Sequence, residues 1–240
     1  MGVLKGIDLE KRFAQRPVVK GVSLRVAQGE VVGLLGPNGA GKTTTFYMLV
    51  GIIGATKGRI EAAGRDVTQW PLHRRARFGL SYLPQESSVF RKLSVRENLE
   101  IILEYTGLDR KEQRSRRDRL MQDMGIAGLA EQQAASLSGG ERRRLEIARA
   151  LIRDPLFMLL DEPFAGIDPL AVDDIQTNIQ GLKERGIGVL ISDHNVRETM
   201  SICDRVYLVF EGRIILEGTP DEIVQDAQAR QIYLGEKFCM

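Results

Sequence analysis

The residues with the clearest capacity for chemistry form a glycine-rich run at positions 36–43, Gly-Pro-Asn-Gly-Ala-Gly-Lys-Thr. The run fits the pattern GxxxxGK[ST], whose glycines let backbone N–H groups approach and cradle a phosphate chain. A helix that begins directly after such a loop directs its positive end at the same anion. We expect Lys42 to reach the β- and γ-phosphates and the Thr43 hydroxyl to bind Mg²⁺. The run therefore predicts a site for a nucleoside triphosphate.

Two adjacent carboxylates, Asp161 and Glu162, follow an apolar run that ends at Leu160. A single acid at the end of a strand is often only a turn former or a helix cap. Beside a phosphate loop, we expect Asp161 to hold Mg²⁺, directly or through water, and Glu162 to polarise the attacking water as a general base. Because neighbouring strand residues point to opposite sides, the two roles are not interchangeable. The pair predicts hydrolysis of the bound nucleotide.

Short apolar segments alternate with helical ones along most of the chain. The pattern predicts strands at 18–26, 30–35, 59–63, 79–83, 156–160, 189–192 and 205–210. It predicts helices at 43–50, 93–105, 111–124, 140–153, 171–185 and 196–202. One or two further short helices are expected after residue 221. This alternation is typical of an α/β fold with a mainly parallel, doubly wound sheet, and the charged stretch between 85 and 138 favours a small helical insertion.

The composition limits the partners of the chain. Its 240 residues carry 34 Lys and Arg against 32 Asp and Glu, and a net charge of +2 argues against a general affinity for nucleic acid. Any basic patch must be local, at 114–119 or 142–144. Cys203 and Cys239 belong to no CxxC pair, which favours free thiols in a reducing compartment. We find no secretory signal and no run of the ~20 apolar residues that a membrane-spanning helix needs, so we expect another chain to cross any membrane involved.

A further set of motifs resembles the ATPases of ABC transporters. The segment Leu137-Ser-Gly-Gly-Glu141 is similar to the LSGGQ signature of that family and precedes a helix and the acidic strand, as in the family. Gln85 resembles the Q-loop glutamine, residues 164–168 resemble the D-loop, and His194 in Ser-Asp-His resembles the switch histidine. Phe13 stands where the family usually places an aromatic that stacks on adenine. Singly, these residues also suit a helix cap, a surface amide, a strand-end histidine or a core aromatic, but their joint order covers essentially the whole chain.

The resemblance implies a P-loop NTPase core of the ABC ATPase type, with an N-terminal β-subdomain and an inserted α-helical subdomain. The single domain would divide into a core with its β-subdomain at 1–84 and 156–220, a helical subdomain at 85–155 and a helical tail at 221–240. The implied catalytic residues are Glu162, His194, Lys42 and Gln85. The implied Mg²⁺ ligands are Thr43, Gln85 and Asp161. The implied nucleotide-binding residues are Phe13, Gly36, Pro37, Asn38, Gly39, Ala40, Gly41, Lys42, Thr43 and Thr44, with Ser138, Gly139 and Gly140 acting in the site of a partner chain.

In such a family, one chain makes half of a site, and ATP joins two ATPase subunits face to face as a homodimer. His194 would contact the γ-phosphate, and Asp168 would link the two sites across the dimer. Three departures from the family pattern are Glu at 141, Ala-Gly-Ile-Asp in the D-loop and Phe rather than Tyr at 13. None of them removes an obligatory catalytic group.

ABC ATPases act on DNA, on ribosomes or in transport. DNA-repair types insert a long coiled coil, for which the segment 85–138 has no room, and translation types usually carry two ATPase domains in one chain. The remaining class is transport. Several stretches are most similar to the cytoplasmic ATPases of lipopolysaccharide export systems: 38–51, 82–95, 136–150, 159–169, 192–199 and the tail Tyr233-Leu-Gly-Glu236. The alternative is the ATPase of a branched-chain amino-acid importer, which shares the Glu-type signature and a similar D-loop.

Resemblance to transport ATPases also implies where the chain meets the membrane. A coupling helix of an integral membrane subunit would dock in a groove near the Q-loop, where 87–93 lies. Phe90 offers an apolar anchor there and Arg91 a charged one; the alternative is an exposed loop without a partner. The basic run 114–119 is better explained as a solvated helix face than as a lipid-binding patch. The protein is therefore expected in the cytoplasm, on the cytoplasmic face of the inner membrane.

Overall fold

The computed structural model describes residues 1–235 and residue 238, so the expected Cys239 thiol and Glu236 of the tail segment lie outside the described residues. The β-strands in chain order, β1 to β10, are Val3–Phe13, Arg16–Ala27, Val31–Leu35, Lys57–Ala62, Arg65–Asp66, Leu80–Leu83, Phe157–Asp161, Gly188–Ser192, Arg205–Phe210 and Arg213–Gly218. The α-helices, α1 to α9, are Lys42–Val50, Leu72–Phe78, Val95–Leu103, Arg110–Asp123, Gly139–Leu151, Pro169–Glu184, Val196–Met200, Pro220–Gln225 and Ala227–Ala229. Two 3₁₀ turns at Ala127–Leu129 and Ala134–Ser136, and a π-helical turn at Arg230–Leu234, complete the described elements.

A six-stranded sheet forms the centre of the fold in the order β10-β9-β3-β8-β7-β6. All of its strand pairs are parallel except β9 with β10. Successive side chains of each strand face two different cores. In β7, Met158 and Leu160 pack with the helices α3 to α5, whereas Phe157 and Leu159 pack with α1 and the smaller sheet. The predicted parallel, doubly wound sheet is therefore confirmed.

The parallel strands end at the same edge, and this edge collects the motifs. The phosphate loop follows β3, Gln85 follows β6, Glu162 follows β7, and His194 follows β8. These four strands are direct neighbours in the order β3-β8-β7-β6. The carboxyl edge of a parallel sheet is where open α/β folds bind their ligands, so the topology positions the candidate residues together before any side-chain contact is considered.

A second, antiparallel sheet of order β2-β1-β4-β5 packs on the side of α1. Its strand β1 was not predicted from the sequence. The alternation of apolar and polar residues in β1 is broken by bulges between Gly6 and Leu9 and again before Glu10, where the register with β2 shifts. Helix α2 and strand β10 were also missed, because their sequences are rich in charge and lack a regular apolar period.

Residues between β6 and β7 form the helices α3, α4 and α5 and two 3₁₀ turns, with one isolated β-bridge between Ser94 and Gln133. Helices α3, α4 and α5 each begin with a capping box, in which an N-cap side chain and the glutamate three residues later exchange hydrogen bonds, at Ser94, Asp109 and Ser138. The basic run on α4 is largely paired: Arg116 with Asp154, and Arg117 with both Glu100 and Asp118. In the described part of the chain, no helix is both long and apolar enough to cross a membrane.

Arg75 has the largest fully buried side chain in the described core. Its guanidinium connects helix α2 to helix α1 through hydrogen bonds. It is 2% exposed and donates to the carbonyls of Met48 and Leu49 at 2.6 Å each. It also donates to the carbonyls of Trp70 and Thr68. Burial lowers the pKa of Arg75 to about 10, so the group remains charged at neutral pH. A cation at the C-terminus of α1 complements the negative end of that helix.

Replacing Arg75 with Met is expected to lower the free energy of unfolding by about 3 kcal/mol, because two buried and two part-buried hydrogen bonds to carbonyls are lost. The matched control is Arg77→Met on the same helix, where the side chain is exposed and the expected change is below about 0.5 kcal/mol. Urea unfolding followed by circular dichroism measures both. Equal stability of the two variants would contradict the role given to Arg75.

Candidate nucleotide site

The phosphate loop owes its shape to glycines with backbone angles that other residues rarely adopt. Gly36 has φ 149° and Gly41 has φ 103°. A Cβ atom added to Gly36 would lie 2.0 Å from the carbonyl oxygen of Val209, so the loop passes directly against strand β9. Gly41 is the N-cap of α1 and provides no side-chain cap, which leaves the first N–H groups of that nine-residue helix for an anion.

Lys42 lies across the loop and in the field of the acidic pair. Its ammonium donates to the carbonyl of Gly36 at 2.6 Å and to that of Pro37 at 3.0 Å. Burial lowers the pKa of Lys42, and the negative charges of Glu162 and Asp161 act in the opposite direction. Lysine has three donor hydrogens on a flexible stem, so an arriving phosphate can exchange with the carbonyl partners without a change in the loop.

Asp161 ends strand β7 with its carboxylate 4% exposed. It accepts a hydrogen bond from the Tyr82 hydroxyl at 3.2 Å. Burial raises the pKa of Asp161 to about 6; the bond from Tyr82 opposes this shift, and the nearby charge of Glu162 adds to it. A cation nearby would stabilise the ionised form of this buried carboxylate.

The residues at this point suit Mg²⁺. The ion prefers hard oxygen ligands and is usually held by one or two carboxylates together with substrate phosphates. Asp161 supplies one carboxylate, and Thr43 supplies a hydroxyl in the first turn of α1, next to Lys42. No group of three or more His, Cys, Asp or Glu that could hold a metal ion occurs among the residues described.

Glu162 leaves the strand in a left-handed conformation with φ 48°. The two side chains were expected to point in opposite directions because both residues would lie on one strand. This expectation is wrong, because the strand ends at Asp161. The turn is held by the Glu162 amide, which donates to the carbonyl of Ser192 at 2.6 Å. Local strain of this type is common at functional positions, and here it turns the Glu162 side chain towards residues that follow β6 and β8.

Three of the predicted catalytic side chains meet at the Glu162 carboxylate. The Gln85 amide donates to Glu162 Oε2 at 2.7 Å, and His194 Nδ1 lies 3.4 Å from the same oxygen. Gln85, Gly139 and Glu162 also line a cleft of about 130 Å³. Glu162 is thus positioned by two side chains that contact one of its carboxylate oxygens, an arrangement that suits a general base.

Two supporting groups were missed from the sequence. Asp193 is fully buried and accepts hydrogen bonds from the backbone amides of Phe164 and Asn195, at 2.8 Å each, which fixes the segment that carries His194. The sequence signal was present, since a charged residue follows the apolar strand β8. An acidic residue after a hydrophobic strand predicts hydrogen bonds of this kind only when the segment that donates them is known.

The second missed group is a buried ion pair on α5. Arg143 and Glu146 lie 2.9 Å apart and are each about 5% exposed. Arg143 also donates to the carbonyl of Pro84 at 3.2 Å, and Glu146 accepts from the Ser88 amide at 2.9 Å. The interpretation of 142–144 as a basic patch is therefore wrong for Arg143, which instead joins the signature helix to the segment around Gln85.

The signature residues begin helix α5 and pack against their own D-loop. The Ser138 hydroxyl donates to Glu141 Oε2 at 2.9 Å and caps the Glu141 amide. This gives the Glu at 141 a physical role, because a glutamate at the third helical position completes the capping box. A Cβ atom on Gly139 would lie 2.8 Å from the carbonyl of Gly166, and one on Gly140 would lie 3.0 Å from the Ala171 methyl.

The remaining candidate residues lie in the phosphate loop, in helix α1 and at the start of helix α6. Ala40 is buried, and its amide donates to the carbonyl of Pro37; Asn38 and Gly39 are exposed at the tip of the loop, and Thr44 is half-buried in α1. Asp168 is exposed and caps α6 by accepting from the Leu170 amide at 2.9 Å.

Phe90 and Arg91 are both exposed. The Arg149 guanidinium lies 4.9 Å from the centroid of the Phe90 ring. This cation–π contact holds the ring at the surface.

Phe13 ends strand β1 with a ring that is 49% exposed and is contacted by the Lys11 ammonium at 5.3 Å. An exposed aromatic face is available to stack on a nucleobase. Replacing Phe13 with Ala is expected to weaken ATP binding about 10-fold, since one base stack contributes 1–3 kcal/mol.

The control for Phe13→Ala is Phe13→Tyr, which keeps the ring and is expected to leave the affinity within about twofold. Fluorescence titration with a labelled ATP analogue measures both variants. Equal affinity of Phe13→Ala and the unmodified protein would remove Phe13 from the nucleotide site.

Comparison with known proteins gives the family. The model of the ABC transporter family matches residues 19–165, which include the phosphate loop, the signature and the acidic pair. The chain belongs to the ABC transporter ATP-binding family. It is accordingly an ATPase that binds ATP and works with separate membrane subunits. A second model, named for a branched-chain amino acid ATP-binding cassette transporter, matches only residues 213–239.

Relatives are similar over nearly their whole length. The lipopolysaccharide export system ATP-binding protein of Acidithiobacillus ferridurans is 53% identical and aligns over 98% of both chains. The protein of the same name from Escherichia coli K12 is 52% identical over 99% of both chains. A solved ATP-binding cassette of an ABC transporter in its ADP conformation is 28% identical, with a TM-score of 0.88 over 98% of this chain and all of that one. The expected ABC ATPase fold is thereby confirmed.

Proposed function

We propose that this chain is the ATP-hydrolysing subunit of a lipopolysaccharide export transporter. The observation that carries the proposal is the set of relatives with that printed name, at 52–53% identity over 98–99% of both chains. The alignment with these relatives is not confined to the nucleotide-site motifs but covers nearly the whole chain. The protein would act on the cytoplasmic face of the inner membrane, with the membrane subunits supplied by other chains.

A second candidate is the ATPase of a branched-chain amino-acid importer. The family model of that name supports it, but it matches only residues 213–239. The matched range begins with β10 and contains none of the candidate catalytic residues. The export function ranks first because its relatives align over the whole chain.

Within the proposed site, each side chain has a defined task. The backbone of the phosphate loop and Lys42 bind the β- and γ-phosphates, and Thr43 and Asp161 would hold Mg²⁺. Bound Mg²⁺ would neutralise negative charge on the phosphate oxygens. Glu162 accepts the proton of the attacking water, while Gln85 and His194 orient the carboxylate from two sides. Gln85 would also contact Mg²⁺ once it releases Glu162.

The site becomes complete when a second copy of the chain supplies its signature. Ser138, Gly139 and Gly140 would present a hydroxyl, backbone amides and the N-terminus of the 13-residue helix α5 to the γ-phosphate held by the partner. Contact between Gly139 and Gly166 in one chain supports coupling between the signature and the D-loop. Asp168, which caps α6, would then report on the partner's site.

The membrane subunit would bind at Phe90 and Arg91, which are both exposed. Arg149 bonds the carbonyl of Ser88 at 2.6 Å and stacks on Phe90, so the anchor is fixed to helix α5. Movement of Gln85 in response to the γ-phosphate reaches the same segment through Ser88 and Glu146. This gives a physical route from nucleotide state to the membrane partner.

The test depletes the chain in the cell that makes it and measures two quantities. One is lipopolysaccharide retained in the inner membrane, and the other is uptake of labelled leucine. Export ATPase function predicts retained lipopolysaccharide with normal uptake, and rescue by the unmodified gene but not by Glu162→Gln. Normal lipopolysaccharide transport with lost leucine uptake would instead select the importer.

A further inference from the structure

A tyrosine that no motif includes touches the acid expected to hold Mg²⁺. Tyr82 lies on β6, three residues before Gln85, and its hydroxyl donates to Asp161 Oδ2 at 3.2 Å. One carboxylate oxygen of Asp161 is therefore engaged, and the other is left for a further partner.

A second tyrosine fixes the first. The rings of Tyr47 and Tyr82 pack edge to face, with centroids 6.1 Å apart and planes at 90°. Tyr47 lies on α1 four residues after Thr43, and thus on the same face of that helix. The pair connects the helix of the phosphate loop, the strand before Gln85 and the strand that ends in Asp161.

We propose that Tyr82, held by Tyr47, is a positioning residue that fixes the Asp161 carboxylate in the orientation needed to bind the divalent cation of the nucleotide complex. The inference rests on the proposed role of Asp161 in metal binding. A buried carboxylate that ligates a metal is commonly oriented by a hydrogen bond to its other oxygen, and loss of such a partner weakens metal binding by about 10- to 100-fold. Tyr82 is not expected to contact the nucleotide, so it acts only through Asp161.

The geometry makes a selective test available. Tyr82→Phe removes one oxygen atom and keeps the ring that packs on Tyr47. The matched control is Tyr207→Phe, since the Tyr207 hydroxyl is also hydrogen-bonded, to the Arg25 amide and to Arg205, but lies on β9 away from the acidic pair. Asp161→Asn serves as the reference for the loss of the metal ligand itself.

Mn²⁺ is titrated into each full-length protein mixed with an equimolar, non-hydrolysable ATP analogue, and free Mn²⁺ is read from its electron paramagnetic resonance signal. Nucleotide affinity in EDTA and the melting temperature are measured in parallel. Tyr82→Phe is expected to weaken Mn²⁺ binding about 10-fold, with nucleotide affinity in EDTA unchanged within about twofold. Tyr47→Phe is expected to have a smaller effect in the same direction, and Tyr207→Phe none.

Each other outcome is informative. Unchanged Mn²⁺ affinity in Tyr82→Phe, with weakened binding in Asp161→Asn, overturns the role of Tyr82 and leaves the proposed function standing. Unchanged Mn²⁺ affinity in Asp161→Asn overturns the metal role of Asp161 and the inference with it. Equal losses of nucleotide affinity with and without metal in Tyr82→Phe would make Tyr82 a packing residue.

Discussion

The Glu162→Gln variant is expected to hydrolyse ATP about 1,000-fold more slowly than the unmodified protein, since general-base catalysis contributes 10²–10⁴-fold. The amide has the size of the carboxylate but cannot accept the proton of the attacking water. Gln85 and His194 both face Glu162 Oε2, so the side chain is already directed into the site. Nucleotide binding is expected to persist, and the variant should elute as a dimer in Mg-ATP, because the step that releases the partner is blocked.

The control for this loss is Glu141→Gln. It makes the same chemical change three residues into the signature helix, where either residue completes the capping box with Ser138. Its turnover is expected to stay within about twofold of the unmodified protein. Phosphate release measures both variants, and a Glu162→Gln variant with normal turnover would show that another group activates the water.

Gly36→Ala is expected to abolish nucleotide binding and to lower the free energy of unfolding by about 4 kcal/mol, as clashes with backbone in a packed region do. A methyl group there would lie 2.0 Å from the Val209 carbonyl oxygen, and neither backbone can move without breaking the sheet contact between β3 and β9. The φ of 149° adds strain for any residue with a side chain.

The matched control is Gly39→Ala in the same loop. Gly39 has φ 78° but no atom within 4 Å of its added Cβ, so the cost is only the left-handed strain of about 1–2 kcal/mol. Urea unfolding and titration with a labelled ATP analogue compare the two. Similar effects at both positions would mean that strain, rather than contact with β9, limits the loop.

Sequence patterns predicted the central sheet well because its strands are continuous apolar runs. Phe157–Asp161 and Gly188–Ser192 are buried throughout, and each predicted bound differs from the observed one by at most one residue. Strand β1 escaped prediction because bulges interrupt its alternation, and α2 because its one buried side chain is the charged Arg75. In both cases tertiary contacts override the local pattern.

The candidate site also contains some features that the local sequence predicts and others that it does not. A continuous motif such as 36–43 predicts its own conformation, since glycine spacing and the following helix are local properties. Contacts that join distant segments are not local: Gln85 meets Glu162 across 77 positions, and Phe164 meets Asp193 across 29. The left-handed turn at Glu162 and the bond from Tyr82 to Asp161 depend on neighbouring strands, which single-sequence periodicity does not describe.

The measurement that tests the shared site most directly mixes two inactive variants. Lys42→Ala removes the phosphate contact and keeps the signature, whereas Ser138→Phe obstructs the signature at an exposed residue and keeps the phosphate loop. In a mixed dimer one complete site remains. An equal mixture is therefore expected to recover about a quarter of normal ATP turnover, because half of the two-fold dimers are mixed and each has one intact site of two. A mixture of folded variants that stays as inactive as its components would contradict a site built from two chains.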